Sequence, residues 1–481
     1  MDDSEKLLQR AFAAHNARQY PEAETLCRSL VQAGVADAQL FFLLGMVLHS
    51  TGRDAEAAQW LERAAWLQPA SARIFSGLGV VWRKLGDLRK AAGHFARAAE
   101  LEPRQANHFY SLGNVVYELN ELERATAAFR RAVELNPRDA ECWNNLGKCL
   151  KELNFLPESM AAYDRALELQ PNYLLALQGR AISRLAAGRL AEGYRDYELR
   201  WCTLPPRQLD RPRWTGEAIP GKTLFLHAEQ GFGDGIQSAR YARLARGRCA
   251  RVILECRPEL KTLLALSGVA DEVIGYGEDL PPFDYCTSVI SVPGWLGLTL
   301  ETLPGDTPYL KVRPLVPPLP GADGKLKVGL AWAGSPTHSD DGNRSLALAW
   351  LAPVLAVPGV AFYCLQQPVP ERDASALKQF SQLTALAEFK DYLATAAVVD
   401  AMDLILSVDT SVAHLAGALG RPVWNLIQYA PDWRWFAQFG EHTPWYPTMR
   451  LFRQPRRGDW ASVIARVAAE LASVVERARP G

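Results

Sequence analysis

The sequence predicts an α-helical superhelical solenoid followed by an α/β region of two Rossmann-like halves with a cleft between them. Three observations carry this. Leu-Gly pairs recur every 34 residues through the first part of the 481-residue chain. That period stops near Pro205. Beyond it, short β-rich runs alternate with helical ones, once before and once after a Pro-rich stretch. A chain of this length exceeds one ordinary core, and these changes divide it into residues 1–204, 205–315 and 316–481.

Leu44-Gly45, Leu78-Gly79, Leu112-Gly113 and Leu146-Gly147 set the frame, and Pro69, Pro103, Pro137 and Pro171 share it. The same period carries Phe41, Phe75, Phe109 and Trp143, then Leu61, Phe95, Phe129 and Tyr163, then Ala64, Ala98, Ala132 and Ala166. This is the tetratricopeptide pattern: small residues let two helices approach, large ones fill the gaps, and proline closes the second helix. Four units cover 38–173. A degenerate one precedes them over about 4–37, with Ala11 at the Gly position and Cys27 at the aromatic one. After Pro171 "RLAEGYRDYELRW" reads as a capping hairpin. The groove-facing offsets hold Arg73, Arg83, Asn107, Tyr110, Asn114, Tyr117, Asn144, Lys148 and Lys151. Such a mixture suits an extended peptide or protein segment, the alternative being a solvated face.

The 53 basic and 53 acidic residues balance, which argues against nucleic acid or an anionic membrane as partner. Eight scattered cysteines without a CxxC pair read as reduced thiols. "MDDSEKLLQR" lacks the regions of a signal peptide, and no apolar run nears the roughly 18 residues that span a bilayer. A cytoplasmic protein is expected.

From Pro205 the expected strands are 222–228, 251–256, 271–277 and 283–293, and after the linker "YLKVRPLVPPLPGADGK" they are 326–334, 360–366, 404–409 and 422–427. In such sheets ligands sit beyond the carboxyl ends of strands, so motifs are sought there. "HAEQGFGDGIQSARY" follows the first strand; Asp234 could cap the coming helix or face the cleft as a general base. In "LAWAGSPTHSDDGNRSL", Asn343-Arg344-Ser345 opens a helix, where a cation opposes the dipole unless an anion joins it; pairing with Asp340 or Asp341 is the alternative. In "LILSVDTSVAHLAGALGRPVW" the chain turns after Val408, so the amides and hydroxyls of Thr410 and Ser411 form an anion cradle, with His414 one turn on. The bland alternative makes Asp409 an N-cap and His414 a core histidine. Trp433, Trp435, Trp445 and Tyr446 could line the cleft or pack the core, with Arg434 the better functional choice among them. The only acidic patch, "SDDGN" (339–343), reads as a loop, and no metal site is expected.

"SVDTSVAHLAGALGRPV" and Gly233-Asp234 resemble the heptosyltransferase-like glycosyltransferases of GT-B fold, over about 215–455, with Ser411 where that family commonly has Gly. The whole layout, with "VGLAWAGSP", "NRSL" and "DWRWF", looks like bacterial repeat-plus-glycosyltransferase proteins, some relatives of which are thought to glycosylate flagellins. The resemblance implies inverting transfer of a sugar from a nucleotide-sugar donor to a protein acceptor held by the repeats, flagellin-like acceptors included, with no further cofactor. Asp234 would be the base. Trp332, Gly334, Arg344, Gln366, Asp409, Thr410, Ser411 and His414 would serve the donor, and Gln230, Gly233 and Arg434 the acceptor or cleft. Tetratricopeptide O-GlcNAc transferases share the two-part plan, but the offset of their Asn ladder reads Leu43, Gly77, Ser111 and Asn145 here, so their sugar specificity does not transfer. A lipid-linked or polysaccharide acceptor, or a catalytically silent scaffold, are the competing readings.

Overall fold

The computed structural model describes residues 3–202, 209–312, 319–322, 324–338 and 340–478. The chain forms two compact units, Met1–Gly179 and Arg180–Gly481.

The first unit is a stack of antiparallel helix pairs. These are α1 (Asp3–Asn16) with α2 (Tyr20–Gln32), α3 (Ala38–Ser50) with α4 (Asp54–Leu67), and α5 (Ala72–Lys84) with α6 (Leu88–Leu101). Then come α7 (Ala106–Glu118) with α8 (Leu122–Leu135) and α9 (Ala140–Glu152) with α10 (Leu156–Leu169). The repeat's glycine has a steric cause. A Cβ on Gly79 would fall 2.8 Å from the Phe95 ring, and one on Gly113 2.7 Å from Phe129. Each aromatic therefore lies directly on backbone, which is how a pair only two helices thick excludes water. The turn inside each pair needs a left-handed residue, and Arg18, Gly52, Gly86, Asn120 and Asn154 supply it at φ 59°, 79°, 83°, 65° and 62°.

Along the helices expected to line the groove, neighbouring repeats are tied by side chains. Tyr110 donates to Glu141 (2.5 Å), Asn145 to Asn114 (3.1 Å), Tyr117 to Glu152, and Arg83 pairs with Glu118. Lys148 lies over Tyr117 at 4.4 Å and Arg73 over Phe42 at 4.5 Å. Asn144 is buried and bonds Asn145 at 3.1 Å, so it belongs to the wall rather than to an open surface.

The two units part inside α11 (Leu174–Ala186). Leu185, then Leu190 and Tyr194 of α12 (Leu190–Tyr197), join the core of the second unit with Trp214 and Trp433. Arg180 and Arg184 both bind Asp196, at 3.2 and 2.5 Å, which fastens α11 to α12 there. The expected boundaries at 204/205 and 315/316 lie outside the described residues, as does part of the Pro-rich linker.

In the second unit β1 (Ile219–His227), α13 (Phe232–Ala245), β2 (Cys249–Cys256), α14 (Pro258–Ser267), β3 (Glu272–Gly275) and β4 (Tyr285–Ser288) build a parallel sheet of order β3-β2-β1-β4. The fourth strand is shorter than 283–293: Ser288 accepts the Ile290 amide at 3.2 Å and turns the chain into α15 (Val292–Trp295). Then come β5 (Leu326–Ala331), α16 (Asp341–Arg344), α17 (Ala352–Leu355), β6 (Val360–Cys364), α18 (Ala374–Gln379), β7 (Leu383–Ala385), α19 (Tyr392–Asp400), β8 (Leu404–Val408), α20 (Ser411–Ala418), β9 (Val423–Ile427), β10 (Met449–Arg453) and α21 (Trp460–Ala478). The second sheet is parallel, ordered β10-β9-β8-β5-β6-β7. Its central strands are mostly apolar and largely buried, as burial on both faces demands. The short edge strand β7 and the Arg-bearing edge strand β10 escaped the sequence reading. A single buried cluster runs from Leu185 to Leu451 through α13 and α20, so the two α/β halves share one core along these helices.

The glycine argument has a measurable consequence. Gly113→Ala gains about 1 kcal/mol of helix propensity, but overpacking against Phe129 costs about 1–3 kcal/mol. Urea unfolding of the chain is expected to show a net loss, largely recovered when Phe129→Leu is added.

Candidate functional site

β8 ends at Val408 and the chain turns through Asp409 into α20, with Thr410 extended at φ −139° as the residue before the helix. The amides of Ser411 and Val412 have no acceptor inside α20, because a helix leaves its first donors unmatched. Thr410 makes no cap; its hydroxyl bonds Ser407 at 3.0 Å. Ser411 accepts from the Tyr392 hydroxyl at 2.7 Å, and Tyr392 stacks on Phe232 of α13 at 4.9 Å. The starts of α13 and α20 meet here. A Cβ at Gly233 would lie 3.0 Å from the His414 ring and 3.6 Å from the Ser411 Cα, so a larger residue there would press on the buried imidazole.

Asp234 caps α13 and also reaches the other half. Its Oδ2 accepts the Gly231 amide at 3.0 Å, capping α13, and its Oδ1 pairs with Arg434 from the other half. Arg434 is 9% exposed. Its Nη1 donates to Asp432 at 2.7 Å, its Nε to Gln237 at 2.9 Å, and its face covers the Trp433 ring at 4.4 Å. Burial works against this charge, but Asp234 and Asp432 outweigh it and hold the guanidinium firmly ionised. Burial also opposes the Asp432 charge, and Arg434 again prevails, keeping that carboxyl below its usual range.

Asp409 differs. Burial, reinforced by Asp432, pushes its carboxyl up to about 6 against the pull of Arg344 and Arg434. The folded chain thus holds this proton more tightly than the unfolded chain, so its stabilising effect is complete below about 4 and lost as pH rises through about 6. Burial pushes His414 down to about 3, so it is neutral at physiological pH.

Several expectations need correction. His414 is a core histidine: its Nδ1 bonds the Tyr446 hydroxyl at 3.0 Å and its ring stacks on Trp435 at 5.0 Å. Trp332 is buried, donating its indole N–H to Asp373 at 2.8 Å. Gln366 is buried too, and its Oε1 braces the Trp332 and Ala333 amides at 3.1 and 2.9 Å. Neither side chain is open to a nucleotide. Arg344 closes the single turn of α16 instead of opening a helix, so the dipole no longer opposes it. It pairs with Asp341 at 3.5 Å, and its guanidinium lies on Gly334, where a Cβ would come within 2.5 Å. Trp433, Trp435, Trp445 and Tyr446 are all buried in the core.

Gln230 takes φ 67° and donates to the Tyr197 hydroxyl at 2.8 Å, while Arg257 holds the Gln230 carbonyl at 3.0 Å. Sequence reading gave no role to Gln237 and Asp432, although both lie inside the quoted motifs, and missed Tyr392, which only the fold brings to Ser411. Among the described residues no group of three or more His, Cys, Asp or Glu is placed to hold a metal ion, and no helix is long and apolar enough to cross a membrane.

Comparison with known proteins agrees with the first unit. The tetratricopeptide repeat family matches residues 8–73, 77–140 and 110–173, and these residues carry tetratricopeptide repeats. Protein FlbA of Caulobacter vibrioides is 28% identical over 327 residues, covering 61% of this chain and 54% of that protein. The chain thus spans about half the length of the curated relative it matches. Among solved structures, YrrB, a tetratricopeptide protein with an unusual peptide-binding site, is 21% identical at a TM-score of 0.35, covering 38% of this chain and 93% of its own. PilF of Pseudomonas aeruginosa is 15% identical at 0.37, covering 43% and 93%.

Arg434→Ala would strand two carboxylates that now share it. A loss of about 3 kcal/mol in unfolding free energy is expected. Asp234→Asn keeps an oxygen for the Gly231 amide and is expected to cost less, measured by the same denaturant titration.

Proposed function

We propose that this chain is a glycosyltransferase of GT-B type that takes a nucleotide-diphosphate sugar and works by inversion. The observation that carries the reading is the meeting of two helix starts from two Rossmann-like halves. One carries amides left unmatched within its helix; the other carries a carboxylate that pairs with Arg434. The diphosphate would bind at the start of α20, with Arg344 and Arg434 as its cations, where fixed donors stabilise the charge that develops on the leaving phosphate. An acceptor hydroxyl attacks the anomeric carbon as the bond to the phosphate oxygen breaks, and its proton passes to Asp234. Since Asp234 and a phosphate both seek Arg434, the arriving donor would draw the guanidinium away and free one carboxylate oxygen as base. The repeats would present the acceptor, a protein segment held in the groove.

The same closed node favours a second reading, a catalytically silent scaffold, because both oxygens of Asp234 are occupied.

Calorimetry against UDP, GDP, ADP, CDP and CMP separates the two. Saturable binding of one nucleotide, lost in Ser411→Trp, is expected from the transferase; binding of none favours the scaffold. An ionised Asp409 repels a phosphate, so wild-type affinity is expected to fall relative to Asp409→Asn as pH rises from 5 to 7.5. A constant ratio between the two would remove Asp409 from the site.

For catalysis, Asp234→Asn is expected to lower transfer at least about 100-fold while leaving nucleotide affinity within a few-fold. Lost binding with intact turnover would dismiss Asp234 as base.

A further inference from the structure

The second helices of the four clear repeats end alike, with one exception. Arg63, Arg97, Arg131 and Arg165 share one position of the 34-residue frame, and three residues on stand Trp66, Glu100, Glu134 and Glu168. Where glutamate follows, the arginine pairs with it, at 2.9 Å for Arg97–Glu100, 3.0 Å for Arg131–Glu134 and 2.5 Å for Arg165–Glu168. Residues three apart on a helix surface are neighbours, which makes this a local pair. In α4 the glutamate gives way to Trp66, and Arg63 lies instead over the Trp60 ring at 4.6 Å. Among the described residues no carboxylate stands within ion-pair distance of Arg63. Its neighbour Glu62 lies close enough to His94 of the next repeat to act on its charge.

An exposed ion pair contributes little to stability, so the exchange is nearly neutral for the fold and changes chiefly the surface. Trp66 is 82% exposed, more than any other large apolar side chain among the described residues. Leu67 beside it is exposed too, whereas Leu101, Leu135 and Leu169 at the same position are half-buried. Single exposed apolar residues are ordinary. Here an indole, a leucine and an arginine lacking its counter-ion gather within one turn, and Trp and Arg are the side chains that dominate protein contacts.

We propose that the end of α4 docks an acidic protein segment that carries a large apolar side chain beside its carboxylates. The carboxylate would take, from outside, the place of the glutamate that the other repeats hold, and the apolar group would cover Trp66 and Leu67. The surplus charge of Arg63 selects an acidic partner over a basic one. Because α4 is the second helix of its pair, this surface is separate from the groove that the first helices are expected to line. It is independent of whether the second unit transfers a sugar.

The test uses the full chain and a pair of fluorescein-labelled synthetic peptides of equal length. One holds a Trp-Leu pair flanked on both sides by glutamates; the other has lysines in their place. Fluorescence anisotropy is expected to show saturable binding of the acidic peptide, weakened by added salt. Trp66→Glu restores the pair of the other repeats and is expected to keep the wild-type circular dichroism. That variant and Arg63→Ala are each expected to weaken binding at least about tenfold, while Arg131→Ala, at the same position of another repeat, leaves it unchanged. The proposal is overturned if the acidic peptide does not saturate, if the lysine peptide binds equally, or if Trp66→Glu binds as wild type. A wild-type dimer in sedimentation that Trp66→Glu dissolves would also overturn it, assigning the surface to a second copy. So would vesicles of phosphatidylcholine and phosphatidylglycerol that retain the wild type but not Trp66→Glu, assigning it to a lipid surface.

Discussion

The second unit depends on one buried cation. Arg434 comes from the loop after β9, yet its partners include Asp234 and Gln237 of α13 in the other half. A guanidinium taken out of water loses several kcal/mol of solvation unless its donors are matched. Here each nitrogen finds an oxygen: Nε on Gln237, Nη1 on Asp432, Nη2 on Asp234. The demand for these partners fixes how the first turn of α13 faces the loop. Deeper along the helix Arg240 repeats the device, donating to the Trp445 carbonyl at 3.0 Å and the Tyr309 hydroxyl at 3.1 Å. Two arginines thus hold the shared core in register at both ends of the contact.

Glycine makes this geometry reachable. With Gly233 against His414 and Ser411, the helix starts approach to backbone distance, and the two positive helix ends lie close together. Carboxylates offset that repulsion. Asp234 does so at α13, and Asp409 precedes α20, where burial raises its carboxyl to about 6, so that it is half ionised at that pH. The charge at the paired helix starts therefore changes with Asp409, which loses its proton as pH rises through about 6.

Legibility in the sequence followed the range of the interactions. The repeats were readable because each contact, Gly79 on Phe95 or Gly113 on Phe129, recurs within one period. Strands β1, β5 and β8 were readable because their buried carboxyl-terminal halves are largely apolar. Asp234, Ser411 and Arg434 were found as motif residues, but not as neighbours, since nothing local links positions 200 residues apart. Errors arose where a polar residue was assumed to face a ligand. Gln366 and His414 are instead consumed by buried bonding, to backbone amides and to Tyr446. Arg344 was misjudged because α16 is a single turn that ends at it, a boundary too short for any periodicity to mark.

The first turn of α13 bears on the choice between transferase and scaffold. Asp234 points to Arg434 and the α20 start, while Gly231 and Gly235 border a cavity on the other side of the same turn. A sensor of one ligand needs one site. A transferase needs two, close enough that a single group can touch both reacting partners. Two unlike environments adjoin this carboxylate-bearing helical turn, the Arg434 node and the cavity of the first half. A silent scaffold would have no use for the cavity, and its packing would gain from filling it.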